Sequence, residues 1–480
     1  MNADVLVVGA GPAGSVAALV LARAGARVVL ADRSSFPRDK SCGDLVGPRG
    51  LQTLREVGLP EPAGLQLGDM VIVGPTGRRV RLPCFTGRTY PGRAVAVART
   101  QLDATLRQAA LDAGAEPLTG RAEAALRGDD GRIAGFCCGG VEVRAGVVIG
   151  ADGATSTVAA AAGLVDASRV LWAFALRSYA EQRRPVELPY IVWWEPEPGR
   201  ILPGYGWVFP AGEGRVNVGL GVGTLADRRR GAEAARRLDG FVARLHALGL
   251  LDGPRTTSGG ERRRAPLGGW LKLGIVGTVP ARDNVLLAGD AAGLVNPLQG
   301  EGIAQALASG KAAAEAVLAA PGCPAPRYIA DLGRRYGRYQ AMAAPAHRAM
   351  MERPRRAAAV TRLLTLPGVG QAVAGGWSLL WNDLVEGAPT GPARAVAGSA
   401  SWLGQRAARR SETYLWISRL FAPSEGRAES EAEAGEGTEA GQGARAESEA
   451  AAGEGTEAGQ AARAESEAVA GASARAESTP

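Results

Sequence analysis

Near the start of the chain, ADVLVVGAG runs into Gly9-Ala10-Gly11-Pro12-Ala13-Gly14 and then into SVAALVLARAG. The first stretch has the composition of a buried strand; the second carries apolar residues at helical spacing and is ended by Gly25. ARVVLADR follows as a second strand, so the chain opens on a βαβ unit. A glycine at position 9 permits the tight turn out of the strand. One at Gly11 lets backbone approach a pyrophosphate, and one at Gly14 allows close helix packing, with the helix N-terminus facing the anion. Asp32 ends the second strand 18 residues after Gly14, where a carboxylate suits a ribose diol and repels a 2′-phosphate. The spacing predicts a dinucleotide site and leaves open which dinucleotide.

With 480 residues and 46% apolar content, the chain has room for roughly three domains and a substantial core. Its five cysteines (Cys42, Cys84, Cys137, Cys138 and Cys323) form no CxxC pair, and only His246 and His347 supply imidazole. Neither a disulfide framework nor a metal site is readable. A basic n-region and a cleavage site are both missing from the first residues, so the expectation is a cytoplasmic protein with reduced thiols. The net charge of +7 is uneven: residues 425–480 hold 13 Glu and 4 Arg, which leaves +16 on the remainder. That excess is almost entirely arginine and is a weak pointer to an anionic membrane surface or substrate. It is not read as nucleic-acid binding.

Further along, RAESEAEAGEGTEAGQGA from Arg427 recurs nearly unchanged from Arg445 and starts again at Arg463. These repeats lack apolar faces to stack, so 422–480 is expected to be a disordered acidic tail. Between Trp172 and Gly223 the runs WAFALRSYAE, YIVWWEPE, YGWVFP and RVNVGLGVG are strand-like and divided by Pro and Gly clusters, which predicts an antiparallel sheet. The segment from Arg338 to Leu420 is helical in composition and broken by prolines. Its run LPGVGQAVAGGWSLLW, from Leu366 to Trp381, is too short and Gly-rich to span a bilayer.

Two more strand ends narrow the dinucleotide. Val147-Val148-Ile149-Gly150-Ala151-Asp152-Gly153 ends in Asp-Gly, and Val285-Leu286-Leu287-Ala288-Gly289-Asp290 ends in Gly-Asp. Together with GxGxxG they resemble the FAD-dependent oxidoreductases built like aromatic hydroxylases. The resemblance implies FAD as cofactor and gives Asp290 the ribityl chain, with Asp152 and Gly153 contributing to cofactor binding and fold. Arg99, in AVARTQLDATL, matches the arginine that reaches the FAD phosphates. In NPLQGEGIAQAL, Pro297, Gly300, Gly302 and Ile303 resemble the loop and helix start beside the flavin ring, where backbone N–H groups stabilise negative charge. A second strand-GxGxxG-helix unit is missing, so the reductant is expected to be NAD(P)H docking transiently or an electron-transfer protein.

Leu202-Pro203-Gly204-Tyr205-Gly206-Trp207-Val208-Phe209-Pro210 resembles the YxWxFP signature of geranylgeranyl reductases, and FPRDKSCGD (Phe36 to Asp44) their K-x-C-G loop. The match spans most of residues 1–350, and within the family the wording is nearest to actinobacterial menaquinone reductases. It implies saturation of an isoprenoid C=C bond of a polyprenyl lipid or quinone, with hydride from reduced flavin and a proton from an acid or water. Alternation places Tyr205, Trp207 and Phe209 on one strand face, which taken alone would read as core; the resemblance implies instead the wall of an apolar channel, which at most one of Trp193 and Trp194 joins. Cys42 is the candidate proton donor, with Lys40 expected to lower its pKa. Leu45 stands where the family commonly has Gly, which bears on substrate identity. A flavin monooxygenase or halogenase would share the FAD motifs, but YGWVFP stands where the GWxWxIP halogenase signature would be. A membrane-surface or partner-binding role, with FAD as a passenger, is the non-enzymatic alternative.

The expected architecture is α/β. A Rossmann-like FAD-binding domain (1–75, 96–165 and 270–345) carries an inserted antiparallel β-sheet substrate domain (76–95 and 166–269). A helical C-terminal region (346–421) and the tail complete it. The expected location is the cytoplasm, peripheral on the inner face of the membrane.

Overall fold

The computed structural model describes residues 1–84, 91–224, 231–252, 266–370, 399 and 402–422. The repeat tail and the part of the tryptophan-bearing run beyond residue 370 lie outside them. Residues Met1–Phe421 form one compact unit.

Its first sheet orders Ala281–Arg282, Val285–Leu287, Val141–Gly150, Asn2–Val8, Val28–Asp32 and Glu116–Thr119. Along this path all neighbours after the first pair run parallel, and Ile133–Cys138 and Ala122–Arg127 extend the sheet antiparallel from Val141–Gly150. Val5 and Val7 sit between Val147 and Ile149 on one side and Val28 and Leu30 on the other, and all six are almost inaccessible. Parallel strands covered on both faces require such continuous apolar runs. Three sequence-predicted strand ends, at Val8, Gly150 and Leu287, therefore finish side by side on one sheet edge, where ligands of doubly wound sheets bind.

Helix Pro12–Arg23 packs between Arg99–Asp112 and Ile303–Ala319. The approach to Ile303–Ala319 is backbone-close: a Cβ on Gly310 would lie 2.1 Å from the carbonyl oxygen of Ala13. This contact carries the loop before Ile303 over the nucleotide turn.

The second sheet has seven strands, in the order Leu267–Leu273, Leu171–Glu181, Arg215–Thr224, Gly204–Pro210, Tyr190–Val192, Met70–Val73 and Arg79–Leu82. It is antiparallel except where Tyr190–Val192 meets Met70–Val73 in parallel. Met70–Val73 and Leu267–Leu273 join this sheet, the one before the expected boundary at 75 and the other across that at 269. Helix Gly231–Ala247 covers the far face, where Phe241 lies against Gly206 so closely that a Cβ there would meet the ring at 1.8 Å. A small third sheet joins Leu45–Val46, Ala94–Ala96 and Leu65–Leu67. The C-terminal part is helical, with Pro345 inside Arg338–Glu352 and Pro354 opening Pro354–Leu364.

Replacing Gly310 with Ala sets two effects against each other. Ala is favoured mid-helix by about 1 kcal/mol, whereas overpacking costs about 1–3 kcal/mol even where side chains can yield. Here the obstacle is backbone. Gly310→Ala should therefore lose about 1–2 kcal/mol in denaturant unfolding; a gain in stability would contradict this helix contact.

Candidate active site

The glycine turn is built by contacts that exclude side chains. Gly9 has φ +102°, and a Cβ on it would meet the carbonyl oxygen of Ala151 at 2.3 Å. A Cβ on Gly14 would lie 1.8 Å from the carbonyl oxygen of Gly9. At Gly11, by contrast, only the Arg38 guanidinium comes near, at 3.3 Å. The twelve-residue helix Pro12–Arg23 thus begins at an open position, facing a cavity of about 460 Å³ lined by Gly9, Gly11, Asp32, Arg38, Arg99, Asp152, Gly153 and Asp290. Asp32 accepts the Ala10 N–H at 2.7 Å and the Ser34 N–H at 2.8 Å, so it also braces the turn. Asp152 accepts from Ser156 Oγ at 2.5 Å and the Thr157 N–H at 2.7 Å, capping the helix that starts at Thr157.

Arg99 lies on this wall, buried, and donates to both carboxylate oxygens of Asp103 at 2.8 and 2.7 Å. Asp103 also takes Arg38 at 2.7 Å. Two guanidinium groups share one buried carboxylate, which leaves positive charge facing the cavity where a phosphate would stand.

A second cavity, of about 510 Å³, shares Pro12, Lys40, Ser41, Arg99, Asp290 and Ala306 with the first. At this junction Lys40 Nζ pairs with Asp290 at 3.0 Å. Beneath it, buried Lys272 donates to the carbonyl oxygen of Ala291 at 2.7 Å and to Thr278 at 3.3 Å, and burial pulls its pKa down to about 8. Pro297, Gly300, Gly302 and Ile303 all line the second cavity. Gly300 has φ +67°, and a Cβ there would meet the Tyr205 hydroxyl at 2.8 Å. Asn296 holds their loop, its Oδ1 accepting from the N–H groups of Leu298 and Gln299 and from Tyr339.

The rest of this cavity is chiefly apolar. Tyr205, Trp207 and Phe209 line it, with neighbouring ring centroids 6.3 Å apart, while Val208 between them packs on the opposite face. Trp193 joins the lining, and Trp194 points the other way onto Phe241 at 5.6 Å. Leu45 is also on the wall, filling space that a glycine would leave open.

Cys42 lines the cavity, and its Sγ accepts the Asp44 N–H at 3.4 Å. Burial pushes the thiol pKa up, with the Arg99 guanidinium opposing. The expectation that Lys40 acidifies Cys42 is corrected here: the Lys40 ammonium is engaged by Asp290, and the nearby cation is Arg99. The loop is strapped to the seven-stranded sheet. Ser41 donates to the carbonyl oxygen of Ala175 at 3.1 Å, and Arg177 donates to Asp39 at 2.5 Å. Buried Asp44 accepts from Tyr179 and from Asn217 at 2.7 Å. Asn217 also donates to the Cys42 carbonyl oxygen at 2.8 Å and accepts from Trp207 Nε1 at 2.8 Å. Burial raises the Asp44 carboxyl pKa, against the lowering effect of Tyr179, Arg177 and Asn217.

These residues fit FAD. An open glycine and helix N-terminus share the cleft with two arginines, and the cleft joins an apolar pocket at Lys40, Arg99 and Asp290, so an elongated dinucleotide can place its ring system at the junction. A family model described as an FAD-binding domain matches residues 2–187. Fold and site together define an FAD-dependent oxidoreductase. The menaquinone reductase of Mycolicibacterium smegmatis is 40% identical over 324 residues, covering 65% of this chain and 76% of that protein. Digeranylgeranylglycerophospholipid reductase 1 of Methanopyrus kandleri is 34% identical, covering 67% and 81%. The chain belongs to the geranylgeranyl reductase family, with the menaquinone reductases among its similar relatives. A geranylgeranyl bacteriochlorophyll reductase-like structure from Thermoplasma acidophilum shares the fold, with a TM-score of 0.62 at 23% identity, over 84% of this chain and 99% of that one.

Sequence reasoning did not single out Arg38, Asp44, Tyr179, Asn217, Lys272 or His347. Arg38 and Asp44 stand inside the quoted FPRDKSCGD loop and carried a readable signal. The others sit in strands and helices whose apolar patterns hide them. Lys272 yields a pH test. Its folded pKa lies below the ordinary 10.5, so unfolding takes up a proton between about 8 and 10.5, and this residue makes stability rise with pH across that window. The melting-temperature difference between wild type and Lys272→Met should shift in favour of wild type from pH 8 to 10. A constant difference would mean that the lysine titrates normally.

Proposed function

We propose that the protein saturates a C=C bond of a polyprenyl chain, with a menaquinone side chain as the first candidate substrate. The carrying observation is the junction itself: an apolar cavity walled by Tyr205, Trp207 and Phe209 opens directly onto the nucleotide cleft at Lys40, Arg99 and Asp290. The relatives named as menaquinone and geranylgeranyl-lipid reductases support the same reading. Reduced FAD supplies the hydride when bound. The chain's own residues supply the rest. Gly9, Gly11, Gly14, Asp32, Arg38 and Arg99 hold the dinucleotide, and Asp290, Pro297, Gly300, Gly302 and Ile303 hold its ring end. The aromatic wall orients the chain and excludes water.

Cys42 is the proposed proton donor to the second alkene carbon. A thiol whose pKa is raised remains protonated at neutral pH, the form that a donor needs. Lys40 acts by pairing with Asp290 and fixing that carboxylate. Anaerobic, dithionite-reduced enzyme should add two hydrogens to menaquinone, read by mass spectrometry, with geranylgeranyl diphosphate and an archaeal-type lipid as comparison substrates. Cys42→Ala should lower turnover by about 10²–10⁴ with FAD still bound, and wild-type turnover should fall only above the ordinary thiol pKa of 9.0. Undiminished turnover in Cys42→Ala would reduce Cys42 to a packing residue. An oxygenated substrate formed only with O₂ and reductant would instead indicate a monooxygenase.

The cavity reaches solvent along helix Pro354–Leu364, where Arg356 and Val360 line it and Val360 is 52% exposed. Arg355 and the 53% exposed Leu363 lie on the same helix. Among the described residues no helix is long and apolar enough to cross a membrane. The proposal is that this helix rests on an anionic bilayer, from which the polyprenyl chain enters. Co-sedimentation with phosphatidylglycerol vesicles should exceed that with neutral vesicles and weaken when Arg355 and Arg356 are replaced by Gln; equal recovery on both vesicles would remove the membrane role.

A further inference from the structure

The second cavity contains a polar group that none of the described residues satisfies. His347, on helix Arg338–Glu352, is 4% exposed and lines the cavity, and neither ring nitrogen has a hydrogen-bond partner among the described residues. The imidazole is tightly bounded, since a Cβ on Gly223 would lie 2.8 Å from Nε2 and also 2.8 Å from the Met351 sulfur. A buried side chain with both nitrogens unpaired is costly. Such a group makes sense when a ligand completes its hydrogen bonds.

Its place in the cavity identifies which part of a ligand it meets. Gly223 bonds to the carbonyl oxygen of Pro203, so His347 borders the Pro203–Gly204 end of the strand bearing Tyr205, Trp207 and Phe209. At the other end of that strand, a Cβ on Gly43 would touch the Phe209 ring at 2.8 Å. The imidazole therefore offers a polar contact at the head of a chiefly apolar wall. A cavity of about 510 Å³ is in the size range for a drug-sized ligand, not for a whole long polyprenyl lipid. One end of the substrate must be inside while the remainder of the chain leaves along Pro354–Leu364.

The charge available at that end is neutral. Burial holds the His347 pKa down to about 4, so the ring is uncharged at neutral pH, with one nitrogen donating and one accepting. Of the cations that line this cavity, Lys40 and Arg99 are paired with Asp290 and Asp103, and Arg353 and Arg356 are exposed on its solvent side. The His347 ring itself offers a phosphate head no charge. A quinone carbonyl can accept from the N–H, and a quinol hydroxyl can donate to the other nitrogen.

We propose that His347 is a specificity-determining residue that hydrogen-bonds a quinone or quinol oxygen, so the substrate enters ring first and its uncharged headgroup is held inside the cavity. This rests on the polyprenyl-reductase reading above. The ring contact positions the chain along the aromatic wall.

Two variants test it. His347→Leu removes both nitrogens at similar bulk, and His347→Gln keeps a donor and an acceptor. With FAD bound and no substrate, His347→Leu should melt higher than wild type, because an unsatisfied buried group has been removed. The ratio of KM for a short-chain menaquinone to KM for the same prenyl chain lacking the ring should rise about tenfold, and His347→Gln should recover part of it. An unchanged ratio, or an equal rise for both substrates, would overturn the proposal. If wild-type enzyme reduces no polyprenyl substrate, the reductase reading falls by itself. The His347 contact is then tested separately by quenching of tryptophan fluorescence with a naphthoquinone carrying a saturated chain. Weaker binding to His347→Leu than to wild type supports the contact, and equal binding overturns it.

Discussion

The Asp44 carboxylate is the fixture on which the site depends. It is buried at the end of the loop that follows the nucleotide unit and accepts from Tyr179 and Asn217, both on the seven-stranded sheet. Arg177 and Tyr179 alternate along one strand, so their side chains reach Asp39 and Asp44 from one sheet face, and the backbone carbonyl oxygen of Ala175 accepts from Ser41 beside them. Asn217 extends the fixture to the Cys42 carbonyl oxygen and the Trp207 indole. One loop thereby ties the parallel sheet, which holds the nucleotide turn, to the antiparallel sheet, which carries the aromatic wall. Both bonds converge on Asp44 Oδ2, while Oδ1 is buried without a hydrogen-bond partner among the described residues, so those two donors carry the fixture and hold Asp44 at φ +61°.

That strap decides the electrostatics of the cavity junction. Drawing the loop onto the sheet brings Lys40 to Asp290 and leaves Cys42 facing Arg99. The ammonium and carboxylate neutralise each other at the junction of the two cavities, while the thiol is held in a low-polarity setting that keeps it protonated. Sequence adjacency of Lys40 and Cys42 suggested a pair, yet the two side chains serve different partners 250 and 57 residues away.

The local motifs were legible for a physical reason. Gly9 and Gly14 are required by backbone contacts within or beside the same βαβ unit, so their spacing reports its geometry directly. Alternation in YGWVFP separates Tyr205, Trp207 and Phe209 from Val208 without help from the rest of the chain. The parallel junction between Tyr190–Val192 and Met70–Val73 was not legible, since strand periodicity does not name a partner or a direction. Lys272 and His347 were hidden for a related reason. Lys272 is one polar residue in an apolar strand and His347 one of several on a mixed helix, and the meaning of each comes from the turn or cavity that other segments place against it.

By itself, the sequence determined a nucleotide turn, a strand bearing three aromatics on one face and the cysteine-bearing loop, all features set by steric rules acting over a few residues. Only the tertiary structure decided that two cavities meet at Lys40, Arg99 and Asp290, that Cys42 lies in the field of Arg99, and that the imidazole of His347 stands unpaired at the head of the wall. Burial, pairing and shared cavities are properties of residues far apart in the chain, and no local pattern encodes which distant group will fill a hydrogen bond.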